Sequence, residues 1–245
     1  GYISYVHGEN PFTFPYRIWP ANWGNPESIK IKMEKGWKYP SVQINTTPII
    51  EPIKHLDVLV LPIRQEQEDG YKYVLQKLKE DPRYAVLNEP REGVQYTAIE
   101  GLKQALNFIY PHSNMVNEKS NLLYGKGGLD RSMKYNEANK SNFSYKEKTL
   151  TQFGRIFSPD ELPKYSSKIS YICDQIRKST GIVLVYSQYI DGGGIPIALA
   201  LEEMGFTRHG TKAQSLFAEP PTDPIDSISM KSESETKGEF HPAKY

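Results

Sequence analysis

A glycine-rich turn behind an apolar segment is the part of this sequence whose residue types best suit ligand binding. Ile182–Tyr186 is apolar throughout, and the residues that follow it are polar or aromatic and then glycine: Ser187, Gln188, Tyr189, Gly192, Gly193 and Gly194. Ligands of open α/β sheets collect beyond the carboxyl ends of buried strands. Glycine permits positive φ and a close approach of the backbone, and the next helix would present free N–H groups. These features predict a site for one phosphate group.

Neither of the common nucleotide-binding fingerprints is present at this turn. It does not match G-x-G-x-x-G, and the pattern G-x-x-x-x-G-K-[ST] occurs nowhere in the chain. The features of the turn by themselves suit one phosphate of a nucleotide or of a nucleic-acid backbone. A strand-to-helix turn without any ligand fits the same residues.

Other chemically suggestive residues stand in patterns that are more typical of structure. The five histidines are scattered without metal-ligand spacing, so neither a metal ligand nor a catalytic residue is predicted. Cys173 falls on the apolar face of a predicted helix, which indicates a core position. The pairs Asp160-Glu161 and Glu202-Glu203 are expected on solvated surfaces. Gly125–Gly128 reads GKGG like a phosphate loop, but no strand precedes it and no Ser or Thr follows, so a flexible loop is predicted.

The segment 112–148 is polar and rich in Asn, Ser and Lys, and we interpret it as an insertion or long loop. A short helix is expected near Tyr145–Phe153. Within the segment, residues 134–148 interleave lysines with aromatic residues, a pattern that suits phosphate pairing and base stacking in a nucleic-acid groove. A solvated loop is the alternative, and the composition favours it slightly.

Composition limits the classes of function. The chain has 245 residues and a formal net charge of +1, so no global field attracts it to nucleic acid or to a membrane. Any nucleic-acid contact must come from a local patch. A single cysteine excludes an internal disulfide and favours a reducing compartment. No apolar run reaches the ~18 residues that a membrane span needs, so no membrane partner is expected.

Hydrophobic periodicity predicts the elements that would position the glycine turn. A strand at Val58–Ile63 leads into a helix with Tyr71, Val74, Leu75 and Leu78 on one face. A second helix at 97–110 has a Thr97/Glu100 capping box and ends before Pro111. A third helix opens at Ser167 and ends before Gly181, and the strand Ile182–Tyr186 follows it. This order predicts an α/β fold with a parallel sheet.

The chain divides by composition into four parts. Residues 1–55 form an arm rich in aromatics and Pro, and residues 56–206 form an incomplete α/β domain that contains the polar insertion. Residues 207–239 include PPTDP and KSESETK and are predicted to be disordered. Residues 240–245 begin a further strand. The strands are too few for a complete sheet and the chain starts without Met, so a fragment of a longer protein is expected.

Six segments of the sequence carry a resemblance to a known family. They are, in order, GYISYVHGENPFTFPYRIWP, LPIRQEQEDGYKYVL with its Gln67 and Tyr71, QALNFIYP, FSPDELPKYSSKISYICDQI, GIVLVYSQYIDGGGIPIALALEEMGF and FHPAKY. Together they resemble superfamily 2 helicases (DEAD/SNF2-like) of nucleocytoplasmic large DNA viruses, a group related to the poxviral early-transcription and NTPase helicases. They are similar to the interdomain segment of that family and to the first half of its second RecA-like domain. Val185–Tyr189 resembles helicase motif IV.

The resemblance implies a partial RecA-like sheet and a role in an ATP-dependent helicase or translocase of viral transcription or genome handling. It places sugar-phosphate backbone contacts on Tyr186, Ser187 and Gln188, with Tyr189 and the Gly192–Gly194 turn adjoining. Its implied partners are nucleic acid, the ATPase domain of the same protein and subunits of a viral transcription complex. The implied location is intracellular, in host cytoplasm, a virus factory or a virion.

The chain lacks the family's phosphate-binding lysine loop, its acidic magnesium motif and its arginine-finger block. ATP and Mg²⁺ are therefore expected in the full-length protein only, because nothing in this segment would hold Mg²⁺ or stabilise the γ-phosphate. A non-catalytic interaction or scaffold module of a viral transcription or virion complex is the alternative. A binder of small nucleotides through the glycine turn is a third interpretation.

Overall fold

The computed structural model describes residues 61–81, 96–113, 119–210 and 214–245. Contacts divide the chain into two units, Gly1–Leu61 and Pro62–Tyr245, and the fold described here belongs to the second. The predicted arm at residues 1–55 lies outside the described residues, as do residues 58–60 of the predicted strand Val58–Ile63. Residues 61–64 have no regular secondary structure.

The described residues form a mixed α/β structure in which helix predominates, with 48% of them helical and 10% in strands or bridges. Two short strands lie between the third and fourth helices in the chain. The bounds are α1 (Gln65–Glu80), α2 (Tyr96–Asn107), α3 (Gly125–Ser132), β1 (Met133–Asn136), β2 (Ser141–Tyr145), α4 (Glu147–Phe153), α5 (Leu162–Tyr165), α6 (Ser167–Lys178) and α7 (Ile195–Glu203).

Helices α1 and α2 pack through the apolar stripe that the sequence predicts for α1. Val74 of α1 lies in a small core with Leu102, Ala105 and Leu123. Gln67 is fully buried and ties three elements together. Its Nε2 donates to the carbonyls of Ala105 and Leu106, and its Oε1 accepts from the N–H of Ser167 at 3.1 Å. The prediction of this helix is confirmed, and Gln67 on its buried face also caps the first N–H of the helix that begins at Ser167.

Helix α2 ends at Asn107, three residues earlier than the predicted end at residue 110. The side chains of Phe108, Ile109 and Tyr110 are all buried. Three consecutive residues of a helix that packs on the core with one face cannot all be buried, because their side chains point in different directions. The chain therefore leaves the helix, and its N–H groups donate to other segments. The N–H of Ile109 donates to the carbonyl of Tyr165, and the N–H of Tyr110 donates to the carbonyl of Leu123. Tertiary contacts therefore override the helical periodicity here. The side chain of Thr97 lies outside the described part of the chain.

Helix α6 begins and ends as the sequence predicts. Ser166 is its N-cap, and the hydroxyl accepts from the N–H of Ile169 at 2.9 Å. Ile169 and Cys173 are buried in the larger of the two cores. Burial raises the pKa of the Cys173 thiol to about 12, so the thiol stays protonated and acts as core filler. The prediction of a core cysteine is confirmed.

The segment predicted as a polar insertion is packed against the larger core. Strands β1 and β2 form a two-stranded antiparallel sheet, with Met133 opposite Tyr145 and Lys134 opposite Ser144. Phe143 is fully buried and stacks on Tyr135 with ring centroids 4.7 Å apart. The aromatics of residues 134–148 therefore pack in or against the core, while Lys134 and Lys148 are exposed and Lys140 and Lys146 are partly buried. The prediction of a short helix near Tyr145–Phe153 is confirmed by α4.

The segment Ile182–Tyr186 has neither helix nor strand and no strand partner among the described residues. Ile182 and Leu184 are almost fully exposed and Tyr186 is 82% exposed, so the predicted burial of this strand is wrong in this structure. Parallel pairing in the described ranges is limited to single bridges, Phe143 with Phe217 and Thr207 with Lys244. The described residues thus contain no RecA-like parallel sheet.

The two glutamates predicted to lie on a solvated surface are buried at the end of α7, each only 4% exposed. Glu202 accepts from the N–H groups of Leu216 and Phe217 at 2.7 and 3.1 Å, and also from two hydroxyls, those of Ser215 and Tyr245. Residues 214–245 are thereby held on α7, unlike the disordered excursion expected for residues 207–239. Glu203 forms a two-pronged ion pair with Arg155 and accepts from the Tyr145 hydroxyl.

We expect Glu202→Gln to destabilise the protein by about 3 kcal/mol, because the amide group replaces one acceptor oxygen and leaves buried donors unpaired. Urea denaturation followed by circular dichroism measures the effect. The matched control is Glu161→Gln, since Lys164 is the one ion-pair partner of Glu161 among the described residues and both side chains are partly exposed. That change should cost less than about 1 kcal/mol. Equal losses in the two variants would contradict the anchoring role of Glu202.

Asp226 gives a pH-dependent prediction for the C-terminal segment. Its carboxylate accepts from the N–H groups of Ser229 at 2.7 Å, His241 at 3.0 Å and Ile228 at 3.1 Å. These bonds, that of Ser229 first, hold the pKa of Asp226 well below its usual range. A lowered pKa stabilises the fold above the unfolded-state value of about 3.9, and the stabilisation is lost as pH falls below it.

Asp226→Asn should therefore lower the melting temperature at pH 7, and its difference from the wild type should shrink below about pH 4. Thermal unfolding across pH 3 to 7 tests this. Asp160→Asn, on an exposed turn, is the control and should track the wild type. A difference that is constant across this pH range would rule out the ionised carboxylate as the source of the stabilisation.

Candidate phosphate-binding cleft

Three segments that are distant in sequence enclose an open cleft of about 440 Å³. One wall is the start of α3 with the residues before it, the opposite wall is the turn before α7, and α2 contributes a single side chain. The lining residues are Gln104, Asn121, Tyr124, Gly125, Lys126, Gly127, Gln188, Tyr189, Ile190 and Asp191.

The α3 wall is built from the GKGG segment that the sequence predicts to be a flexible loop. That prediction is wrong, because Gly125–Gly128 is the first turn of α3. Gly125 has φ +54, a left-handed conformation that favours glycine. A Cβ on Gly128 would lie 2.1 Å from the Tyr110 ring, and one on Gly127 would lie 2.2 Å from the carbonyl oxygen of Asn121. These glycines therefore let α3 begin directly against the core.

The N-terminus of α3 has no side-chain cap. The first N–H groups of any α-helix lack acceptors within the helix, and the helix dipole adds a partial positive charge there. Because Gly125, Lys126 and Gly127 line the cleft, these groups belong to the cleft wall. The wall thus combines backbone donors with the Lys126 ammonium, a combination that suits an anion.

The opposite wall is the turn that connects the exposed segment Ile182–Tyr186 to α7. Residues Ile190–Gly194 form a π-helical turn, closed by the N–H of Gly194 donating to the carbonyl of Tyr189 at 2.8 Å. The Ser187 hydroxyl donates to the carbonyl of Tyr189 at 2.9 Å and accepts from its N–H at 3.3 Å. Ser187 therefore shapes the turn, and Gln188 and Tyr189 are left to line the cleft.

Two of the three glycines of the turn, Gly192 and Gly193, serve packing rather than ligand approach. None of the three has a positive φ, so the predicted left-handed backbone is wrong here. A Cβ on Gly192 would lie 2.7 Å from Oε1 of Gln104, and one on Gly193 would lie 2.1 Å from Oγ of Ser187. Gly192 and Gly193 are buried, and the triplet does not line the cleft.

The structure thus separates the seven predicted site residues into three groups. Gln188 and Tyr189 line the cleft, Tyr186 is exposed outside it, and Ser187 with Gly192–Gly194 builds the turn. Lys126, Gln104, Asn121 and Tyr124 are cleft residues that the sequence did not associate with this turn. The GKGG pattern was the available signal for Lys126, but nothing in the sequence places it beside residues 188–191.

The charges in and around the cleft are paired with one another. The Lys126 ammonium lies 2.9 Å from Asp130 and 3.3 Å from Glu137, and the Lys140 ammonium lies 3.0 Å from Asp191. A hydrogen bond to Asp130, followed by one to Glu137, raises the pKa of Lys126, so this lysine is cationic near neutral pH. An anion in the cleft would therefore rely on neutral donors and on displacing a carboxylate from Lys126.

Among the described residues that line the cleft there is one carboxylate and no histidine, cysteine or serine. Its carboxylate, Asp191, is held by Lys140. The phenol of Tyr110 behind the wall is fully buried, and burial followed by the charge of Asp191 raises its pKa, so it remains protonated. Among the described residues, no group of three or more His, Cys, Asp or Glu side chains could hold a metal ion. The arrangement suits binding.

The chain matches none of the protein-family models, curated proteins or solved structures with which it was compared. No helix in the described ranges combines the length and the apolar character needed to cross a membrane.

The close contact at Gly193 predicts how the cleft wall responds to one methyl group. Gly193→Ala should destabilise the protein by about 1 to 3 kcal/mol, because its Cβ would overlap Oγ of Ser187. Gly181→Ala is the matched control, since a Cβ there meets nothing within 4 Å and the residue is exposed. Urea denaturation measures the free energy of unfolding of both variants. Equal values would show that the turn repacks around the added methyl group.

Proposed function

We propose that this chain is the nucleic-acid-binding part of an ATP-dependent helicase or translocase, and that the cleft holds one phosphate of the nucleic-acid backbone. One observation carries the proposal. Gln188 and Tyr189, from the segment that resembles helicase motif IV, share a cleft with the uncapped N-terminus of α3. A helix N-terminus is a general anion site, and the resemblance independently assigns backbone contacts to the same turn.

The residues of the cleft have distinct roles in this proposal. The first N–H groups of α3 and the Lys126 ammonium donate to phosphate oxygens. The Gln188 amide donates to the same phosphate or to the adjoining sugar. Tyr186 is exposed beside the turn, where its ring is free to stack on a base. ATP and Mg²⁺ belong to the full-length protein, since this segment has no residues to bind them.

The finer fold assignment, a partial RecA-like domain, is part of the same proposal. Ile182–Tyr186 is uncharged and lies between α6 and α7, the order expected of a strand in a parallel sheet. Its exposed apolar side chains are the type that such a sheet buries on both faces. In this proposal, further strands of the full-length protein cover it, and the ATPase domain docks onto the result.

A second candidate function is a non-catalytic scaffold module of a viral transcription or virion complex. The exposed apolar segment Ile182–Tyr186 favours it, because such surfaces are often covered by a partner protein. In both proposals the protein acts inside the host cell or virion. Binding of nucleic acid in the cleft distinguishes the first candidate from the second.

Fluorescence anisotropy with labelled oligonucleotides over a salt series tests the leading proposal. Lys126→Ala should weaken binding about 3- to 10-fold at 50 mM salt and should reduce the salt slope by about 1, because one phosphate contact is lost. Gln188→Ala should weaken binding with little change of slope, since the amide is uncharged. Lys231→Ala, an exposed lysine of the C-terminal segment, is the control for net charge.

No binding by the folded wild-type protein at low salt would overturn the helicase assignment and favour the scaffold. Thermal shift with ATP and Mg²⁺ should show no stabilisation. A shift that grows with nucleotide concentration would instead indicate the small-nucleotide binder.

A further inference from the structure

Among the described residues that line the cleft Lys126 is the one cation, and two carboxylates hold it. Lys126 Nζ lies 2.9 Å from Oδ2 of Asp130 and 3.3 Å from Oε2 of Glu137. An anion that reaches Lys126 must compete with both. The affinity of the cleft for phosphate therefore depends on how firmly each carboxylate is held.

Asp130 is fixed in place. It lies one turn after Lys126 on α3, and its other carboxylate oxygen accepts a hydrogen bond from the half-buried Tyr135 hydroxyl. The carboxylate thus has two partners and is also part of the packing of α3 against β1. Moving it would disturb the wall of the cleft itself.

Glu137 has fewer contacts than Asp130. It lies in the turn between β1 and β2, its side chain is 71% exposed, and Lys126 is its one polar contact within the described structure. The hairpin nevertheless fixes its backbone near the cleft, because Lys140 at the end of the same turn pairs with Asp191 on the opposite wall at 3.0 Å. The hairpin thus brings a replaceable negative charge to the cleft.

We propose that Glu137 determines the ligand specificity of the cleft by competing with phosphate for Lys126. An isolated phosphate has only its own contacts in the cleft to set against Glu137, whereas a phosphate in a nucleic-acid strand is also held by contacts of the adjoining nucleotides, such as stacking on the exposed Tyr186. The cleft therefore discriminates in favour of a nucleic-acid strand over free phosphate or free nucleotide. This inference rests on the proposed nucleic-acid-binding function.

Glu137→Gln tests the competition directly, with anisotropy on a labelled oligonucleotide and with inorganic phosphate as the competing ligand. The variant should bind the oligonucleotide about 2- to 5-fold more tightly at 50 mM salt, the range of a solvent-exposed ion pair. The gain should disappear near 0.5 M salt, because screening weakens exposed pairs. Inorganic phosphate should displace the oligonucleotide at lower concentration from the variant than from the wild type.

Two further variants separate competition from a general change in charge. Glu233→Gln makes the same charge change on the C-terminal 3₁₀ turn Glu233–Glu235 and should leave affinity unchanged. In the double variant K126A/E137Q the gain from Glu137→Gln should vanish, since the two residues act through one contact. Nuclear magnetic resonance of the Lys126 ammonium should also show a lower pKa in Glu137→Gln.

The outcomes distinguish this inference from the function on which it rests. If the wild type binds the oligonucleotide and Glu137→Gln binds it equally well, the competition is refuted and the binding function stands. A gain that persists without Lys126, or that Glu233→Gln reproduces, also refutes it. If neither the wild type nor Glu137→Gln binds at low salt, both the proposed function and the competition are refuted.

Discussion

The fold depends on two adjacent carboxylates buried at the carboxyl end of α7. A helix carboxyl terminus carries a partial negative charge, so Glu202 and Glu203 lie where ionised carboxylates are disfavoured. They remain there because surrounding segments supply many donors, among them Arg155 for Glu203 and the backbone of residues 216 and 217 for Glu202. Strand β2, the loop before α5 and the C-terminal segment must therefore all be in place around α7. Since the glycine turn leads directly into α7, these carboxylates also position one wall of the cleft.

Sequence reasoning succeeded where local pattern and tertiary structure agree. The apolar stripes of α1 and α6, and the core position of Cys173, follow from periodicity alone. It failed where distant contacts decide the conformation. Phe108–Tyr110 leaves the helix because all three side chains are buried, and the polar segment 112–148 folds because a few residues such as Phe143 enter the core. Glu202 and Glu203 look like a solvated pair because their donors lie far away in sequence.

The cleft shows the same division between local and distant information. The polar residues after Ile182–Tyr186 indicated one wall, and Gln188 and Tyr189 do line it. The opposite wall depends on the start of α3 being helical, and three glycines in its first turn argue against a helix on propensity alone. Those glycines are tolerated because the core leaves no room for a Cβ at Gly127 or Gly128. The core excludes a side chain at these positions, and no local sequence pattern reports that constraint. The second wall of the cleft could therefore not be predicted from the sequence.

The role of the glycine triplet is also determined by contacts that are distant in sequence. In the sequence it suggested a backbone that approaches a ligand, but in the structure the approach is to Gln104 and Ser187 of the protein itself. The glycines thereby hold Gln188, Tyr189 and Asp191 in a fixed turn. Because Asp191 then meets Lys140 across the cleft, the turn also fixes the hairpin that carries Glu137. The electrostatic character of the cleft is thus a consequence of packing at Gly192 and Gly193, which links the shape of the turn to the anions that the cleft accepts.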